Sequence, residues 1–271
     1  MKPVAFDYHR ARGVADAVSS LTGESRALAG GCSLGPMLNL RLARPSALVD
    51  IRSIGEMRQL TQTPEGLIIG ACWTHSEIED GIVPDVTRGF MRRVAHGIAY
   101  RPVRNRGTLG GSLAHADPAA DWLTACVALD AIVHIGSAAG RRAERVASFV
   151  TAPYSTRLSD GELIVGIAVP ALSERASWAY HKICRKTGEF ALAIGAAISD
   201  PGRGYARVVC GAVESAPLVL TKASDALNGG DISGAQTAAA EEIAARLSAH
   251  EAAFVQMHQV AVERALAELT Q

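Results

Sequence analysis

Apolar residues recur three and four positions apart from Gly13 to Leu21 (GVADAVSSL), the spacing of one helical face. A short buried-strand candidate, Ser25 to Ala29, then enters Gly30-Gly31-Cys32-Ser33-Leu34-Gly35. Met37 to Leu42 predicts one or two helical turns stopped before Pro45, and Ala47 to Ile51 (ALVDI) reads as a second strand. Helix, strand, glycine loop, short helix and strand make an α/β opening. From Met57 the run MRQLTQTPEGLIIGA predicts a hairpin turning at Pro64-Glu65-Gly66. Helical patterns follow at Thr74–Asp80 and Thr87–His96, whereas Tyr100 to Asp121 is the least periodic and most glycine-punctuated stretch. Trp122 to Leu129 predicts a buried helix that gives way to strand at Ala131–Ile135. The clearest strand is Glu162 to Val169 (ELIVGIAV), closed by Pro170.

A polar stretch after Pro170 (ALSERAS) marks a boundary near Ala171–Arg175 and divides the chain into residues 1–172 and 173–271. In the second part Ser177–Cys184, Ala191–Ser199 and Ala206–Val213 predict three strands, the last two joined through Asp200-Pro201-Gly202-Arg203-Gly204. The Ala/Glu-rich tail, Ser233 to Leu269, predicts two or more helices laid on that sheet. The expected fold class is α+β.

Composition narrows the function classes. The 271 residues carry 27 Lys+Arg against 27 Asp+Glu, and 48% are apolar. That is enough apolar material for a core without disulfides or a structural metal. A neutral chain has no overall field to concentrate it on phosphate backbones or anionic lipid. The longest apolar run, Ala191 to Ile198, is interrupted by Gly195 and falls well short of the ~18 residues a membrane span needs. The polar N-terminus, broken by Pro3, Asp7, His9 and Arg10, has no signal-peptide core, so a cytoplasmic protein is expected. The cysteines, at 32, 72, 126, 184 and 210, form no CxxC pair. They predict reduced small hydrophobes rather than ligands of an iron–sulfur cluster or a zinc ion.

Two segments carry candidate chemistry: Ala29-Gly30-Gly31-Cys32-Ser33-Leu34, and the run from Arg104 through Gly107-Thr108-Leu109-Gly110-Gly111-Ser112 to His115, Asp117 and Asp121. Paired glycines allow positive φ and close approach of a ligand to the main chain. Successive amides there can converge on an anion, and the flanking hydroxyls of Ser33, Thr108 and Ser112 suit a diphosphate. Neither segment is G-x-G-x-x-G or a P-loop. Gly31-Cys32-Ser33-Leu34-Gly35 does satisfy G-x-S-x-G, which would make Ser33 the nucleophile of a serine hydrolase. Only thirty residues precede Gly31, however, too few for the strands and oxyanion loop that such an enzyme builds first.

AGGCSL together with RNRGTLGGSLAHADPAAD resembles the FAD-binding medium subunit of the molybdenum hydroxylases, the family of the xanthine dehydrogenase flavin domain and the carbon monoxide dehydrogenase flavoprotein. Tyr180-His181-Lys182 with Arg185-Lys186-Thr187-Gly188-Glu189-Phe190 is similar to that family's Y-x-K-x-x-R-[RK]-x-G-D-[FY] segment, so the likeness covers nearly the whole chain. The resemblance implies a two-part FAD-binding domain (PCMH-type) followed by a small C-terminal α+β domain with a three-stranded sheet and helices. Carried over by position, Ala29, Gly30, Gly31, Cys32, Ser33 and Leu34 would wrap the FAD diphosphate with backbone amides, and Thr108, Gly110, Gly111 and Ser112 would form the facing wall. Asp121 matches an acid that contacts the cofactor, Ile164 an apolar residue beside the flavin, and Lys182 a basic residue near its polar edge. Glu189 stands where the family usually has Asp, and Cys32 where Thr, His or Asn is common.

The activity so implied is that of an electron-transfer subunit of an oxidoreductase, with no acid–base catalytic residue of its own. It would take electrons from [2Fe–2S] clusters on a small subunit, drained from a molybdopterin large subunit, and deliver them to an external acceptor. A free-standing FAD oxidoreductase of the same fold is the alternative. Other residues read more plainly. His115 and Asp117 lack a third ligand for a metal. Arg101, Arg104 and Arg106 are expected to form a solvated basic surface, and Trp73, Trp122 and Trp178 to serve core or interface.

Overall fold

The computed structural model describes residues 2–269. The first layer is a small parallel sheet in which Asp7–Arg10 and Arg26–Leu28 flank Ala47–Asp50. Helices Val14–Ser20 and Leu34–Asn39 make its crossovers. Parallel strands require such connections, and here the second crossover begins with the first glycine segment. The strand Asp7–Arg10 is not legible as one in the sequence, because every residue in it is exposed at a sheet edge and no apolar alternation marks it.

The second layer is a five-stranded antiparallel sheet ordered Leu60–Thr63, Gly66–Gly70, Leu163–Pro170, Ile132–Ser137, Gly140–Arg145. Its centre is the strand with the continuous apolar run, as a strand covered on both faces must be. Leu163–Pro170 carries a bulge: Ile164 pairs with Ile135 and Gly166 with His134, leaving Val165 extra. The Val165 carbonyl accepts from Ala71 N instead (3.1 Å), which ties the bulge to the start of the site.

Short helices connect these strands. Thr74 opens His75–Glu79 with a capping box, its hydroxyl accepting from Glu77 N while the Glu77 carboxylate accepts from Thr74 N. The aperiodic stretch turns out to be largely helical, with Arg101–Arg104 and Leu109–His115. The second glycine segment is therefore a helix start rather than a loop. Gly-Gly lowers helix propensity by about 1 kcal/mol per residue, which hides the element from sequence patterning. The helix Asp121–Ala128 is buried along its whole length.

The C-terminal sheet is antiparallel, Ser177–Ile183, Ala193–Asp200, Tyr205–Gly211, with a fourth two-residue edge strand, Leu218–Val219, beyond the three expected. Helices Thr221–Asn228, Ile232–Arg246 and Ala252–Glu268 complete it. The sheet divides its side chains between two cores. Ile194, Ala196, Ile198 and Val209 join the core of the first 172 residues, while Ala197, Val208 and Cys210 pack with Val262 and Leu266 under the C-terminal helices. Two glycines mark the closest approaches. A methyl at Gly211 would lie 1.8 Å from Thr124 Oγ1 on the buried helix, and one at Gly195 would lie 2.2 Å from the Ala261 carbonyl on the opposite face. All five cysteines are free, and burial pushes the thiols of Cys72, Cys126 and Cys210 up to about 12.

Candidate functional site

The strand Arg26–Leu28 runs out at its carboxyl end into the first glycine segment, which turns into helix Leu34–Asn39. Gly31 takes φ +73°, and the turn closes with Gly35 N donating to Gly31 O and Met37 N to Ser33 O. The amides of Gly30, Gly31, Cys32, Ser33 and Leu34 have no acceptor among the described residues. Polar main chain with no partner needs water or a ligand to satisfy it, and at the end of a parallel strand such amides suit an anion. Ser33 has ordinary right-handed helical backbone and makes no side-chain hydrogen bond at the cap. Among the described residues no histidine or acid is hydrogen-bonded to its hydroxyl, so the nucleophile and base of a serine hydrolase are not assembled.

The second segment lies directly against the first. A methyl at Gly30 would fall 1.9 Å from the Arg106 carbonyl and 2.9 Å from Gly107 Cα, so only glycine permits this backbone contact. At Gly111 a methyl would sit 3.7 Å from Ala29 Cβ. Thr108 caps the helix Leu109–His115, its Oγ1 accepting from Gly111 N (3.1 Å). Leu109 N donates to Trp73 O, Gly110 N to Ala71 O and Ser112 N to Thr108 O. The amides from Leu109 to Ser112 are thus spent inside the protein, unlike those of the first segment. What it offers a ligand is the hydroxyls of Thr108 and Ser112 and a backbone free of Cβ atoms. Gly110 is needed on its inner side, where a methyl would come within 2.5 Å of Ala71 Cβ.

His75 supports the wall from beneath. Its Nδ1 accepts from Trp122 Nε1 at 3.0 Å, and a methyl at Gly107 would approach its Nε2 to 2.6 Å. Burial, helped by the charge of Arg104, pushes the His75 pKa down to about 4, so the ring is the neutral tautomer that can accept there. The sequence gives no sign of this role, since the partners are far apart in the chain.

Asp121 and Lys182 are brought together. Lys182 Nζ donates to Asp121 Oδ2 (3.0 Å) and to Gly97 O (3.2 Å), while the Tyr180 hydroxyl donates to Asp121 Oδ1 (2.8 Å). Burial raises the Asp121 pKa, opposed by the Lys182 charge and by both donors. Burial and then the Asp121 charge push Tyr180 well above the usual phenol range, so it remains a donor. An ammonium has three protons, and two of those on Lys182 have these acceptors. The pair also joins the buried helix Asp121–Ala128 to the C-terminal sheet. Ile164 is buried in the common core, on the strand that bulges at Val165.

Of the arginines after Tyr100, Arg101 and Arg106 are exposed as expected, whereas Arg104 is drawn inside. Arg104 is buried, with Nε on Glu79 Oε2 (2.7 Å), Nη2 on Glu79 Oε1 (3.1 Å) and Nη1 on the carbonyls of Ile98 and Ala99. Arg101 pairs with Glu79 and Asp80. Their balance of charge is local, which composition cannot reveal. The His115 ring lies against Tyr154 at a tilt of 53°, the ring centroids 5.2 Å apart. Trp122 lies in the core, and Trp178 Nε1 donates to Arg88 O.

A strand–glycine turn–helix with open amides, walled by a second glycine-rich helix start, is an arrangement that could hold the diphosphate of a nucleotide cofactor, without the G-x-G-x-x-G of a Rossmann site. Residues 4–172 match the family described as the FAD binding domain in molybdopterin dehydrogenase, and the chain belongs to that family of FAD-binding oxidoreductase subunits. Among its relatives, the carbon monoxide dehydrogenase medium chain of Hydrogenophaga pseudoflava is 36% identical over 196 residues, covering 71% of this chain and 68% of that one. The nicotine 6-hydroxylase medium subunit of Paenarthrobacter nicotinovorans is 32% identical over 253 residues, covering 91% and 88%. Among solved structures, carbon monoxide dehydrogenase from Hydrogenophaga pseudoflava superposes with a TM-score of 0.90 at 31% identity, over 100% of this chain and 99% of that one. Quinoline 2-oxidoreductase from Pseudomonas putida 86 gives 0.88 at 31% identity, again over 100% and 99%. Among the described residues no helix is long and apolar enough to cross a membrane.

Proposed function

We propose that this chain is the electron-transfer subunit of its complex. In that role it receives electrons from [2Fe–2S] clusters on a small partner subunit, supplied by a molybdopterin-bearing large subunit, and passes them to an external acceptor in the cytoplasm. The observation that carries the reading is the row of unpartnered amides from Gly30 to Leu34, clamped against the Arg106–Gly107 backbone by Gly30. Bound there, FAD supplies reversible two-electron chemistry. The chain's own residues do the rest. Ala29 and the Gly30–Leu34 amides hold the diphosphate, while Thr108, Gly110, Gly111 and Ser112 close the far side. Ile164 backs the ring with apolar surface. Lys182, held by Asp121 and Gly97, would turn its third ammonium proton toward the flavin's polar edge, a donor that suits the reduced, anionic form. Residues 1–172 make the cofactor domain and 173–271 a second domain that delivers Lys182 to it. The medium-chain and medium-subunit names of the relatives support a complex with other chains.

The test is purification of the chain, its visible spectrum, and identification of the flavin released on denaturation. A flavin spectrum with FAD released, and two further chains co-purifying, is the expected result. A colourless protein that takes up no added FAD would overturn the cofactor assignment. A protein that turns over an organic substrate with no partner would overturn the electron-transfer role.

A further inference from the structure

The three arginines between Tyr100 and Gly107 have different fates. Arg101 is neutralised by Glu79 and Asp80, and Arg104 by Glu79. Arg106 has no carboxylate partner among the described residues. It is nonetheless not a loose surface side chain, because its Nε donates to the Gly30 carbonyl at 3.2 Å. A guanidinium is planar, with its donors in a rigid fork, so fixing Nε also fixes the plane of the two terminal nitrogens. One of them, Nη2, stands 4.0 Å from where a methyl on Gly31 would be, beside the turn itself. The terminal nitrogens have no acceptor among the described residues. The Arg106 charge also reaches the turn's thiol: burial pushes the Cys32 pKa up, and Arg106 pulls it the other way.

We infer that Arg106 is the cation that neutralises the cofactor's diphosphate, its guanidinium completing the cradle that the Gly30–Leu34 amides begin. The inference rests on the FAD reading above and adds to it the charge that the amides lack. A diphosphate brings two negative charges, whereas main-chain amides contribute only partial ones. The chain's net charge of zero provides no general attraction to make up the difference. The facing wall offers no cation either, and its amides from Leu109 to Ser112 are already bonded within the protein. An arginine tethered at Nε and open at both terminal nitrogens presents the bidentate geometry that phosphate oxygens accept. The tether also explains why the segment carrying Arg106 must run against Gly30, since the carbonyl that receives Nε belongs to the residue whose Cα touches the Arg106 main chain.

The experiment uses the full chain stripped of flavin and titrated with FAD and, separately, with ADP, at low and at high salt. Arg106→Gln is expected to raise both Kd values together by about ten-fold or more and to flatten their dependence on salt. Arg106→Lys, which keeps the charge but loses the fork, should fall between. Arg101→Gln, whose charge is already balanced by Glu79 and Asp80, should leave both titrations unchanged. Unfolding temperatures of the variants are read alongside, so that a Kd change with an unchanged midpoint counts as loss of a contact. FAD and ADP binding by Arg106→Gln within about two-fold of the parent, with the salt dependence retained, would overturn the inference and leave the FAD reading standing. So would weaker binding of FAD alone, because the charge would then act away from the diphosphate. A parent chain that binds neither ligand would overturn the FAD reading, and the inference with it.

Discussion

Gly30 and Gly35 lie five positions apart in one turn and have opposite requirements. A methyl at Gly30 meets the Arg106 carbonyl at 1.9 Å, whereas one at Gly35 meets nothing within 4 Å. Gly30→Ala should therefore push the two segments apart. Overpacking of this kind costs about 1–3 kcal/mol, so FAD affinity should fall about ten- to hundred-fold. Gly35→Ala, inside the helix Leu34–Asn39, should leave FAD binding intact and raise stability slightly through helix propensity. Paired titrations with FAD and thermal melts check both. His75 yields a pH dependence of defined sign. Its pKa is about 4 folded against 6.5 unfolded, so the folded state disfavours its protonation. Stability linked to His75 is complete above 6.5 and is lost as the pH falls toward 4, by about 3 kcal/mol in all. His75→Gln keeps an acceptor for Trp122 Nε1 without titrating there. Its unfolding free energy, followed from pH 7 to 4, should decline less steeply than the parent's.

Elements with a strong one-dimensional signal were legible, and those made by tertiary contact were not. The apolar run of Leu163–Pro170 and the helical pattern at Thr74–Asp80 announce their elements. The edge strands Asp7–Arg10 and Gly140–Arg145 do not, because their residues are almost wholly exposed and the second reads GRRAER. The helix Leu109–His115 is fixed largely by bonds to Ala71 O and Trp73 O, contacts that no local pattern encodes. The same holds for the site: the glycine segments can be seen in the sequence, but the meeting of Asp121 with Lys182 across 61 positions cannot. The C-terminal sheet brings Lys182 there, and its two glycines allow that step to be isolated. Gly211→Val would clash with Thr124 on the buried helix and should loosen the docking that places Lys182 beside Asp121. Gly195→Val would clash with the Ala261 carbonyl under the C-terminal helix instead. Both should lose about 1–3 kcal/mol of stability. Only Gly211→Val should also weaken FAD binding beyond what its lowered melting temperature accounts for, as measured by FAD titration well below either midpoint.

At the scale of the whole molecule, most large apolar residues are inside, so those left outside near the cradle stand out. Tyr100 is 59% exposed and Phe190 68% exposed, and Val103 and Leu192 also face solvent. Tyr100 and the segment that carries Phe190 meet: a methyl at Gly188 would touch the Ala99 carbonyl at 2.7 Å and the Tyr100 ring at 3.4 Å, and the nearby Val103 carbonyl lies 3.6 Å from Cys32 Sγ in the first glycine turn. Apolar surface beside a redox cofactor suits an electron-carrying partner, because docking there shortens the transfer distance and excludes water at once. This surface is where the proposed complex is expected to seat its iron–sulfur subunit. Interface energy concentrates in a few aromatic anchors, whose loss typically costs about 2 kcal/mol or more. Replacing both rings, Tyr100→Asp with Phe190→Asp, should therefore cut co-purification of the iron–sulfur chain at least about ten-fold while the isolated subunit keeps its FAD. Retention of that chain at parental stoichiometry would move the docking surface elsewhere on the molecule. Loss of FAD together with the partner would show instead that the two rings belong to the cofactor site.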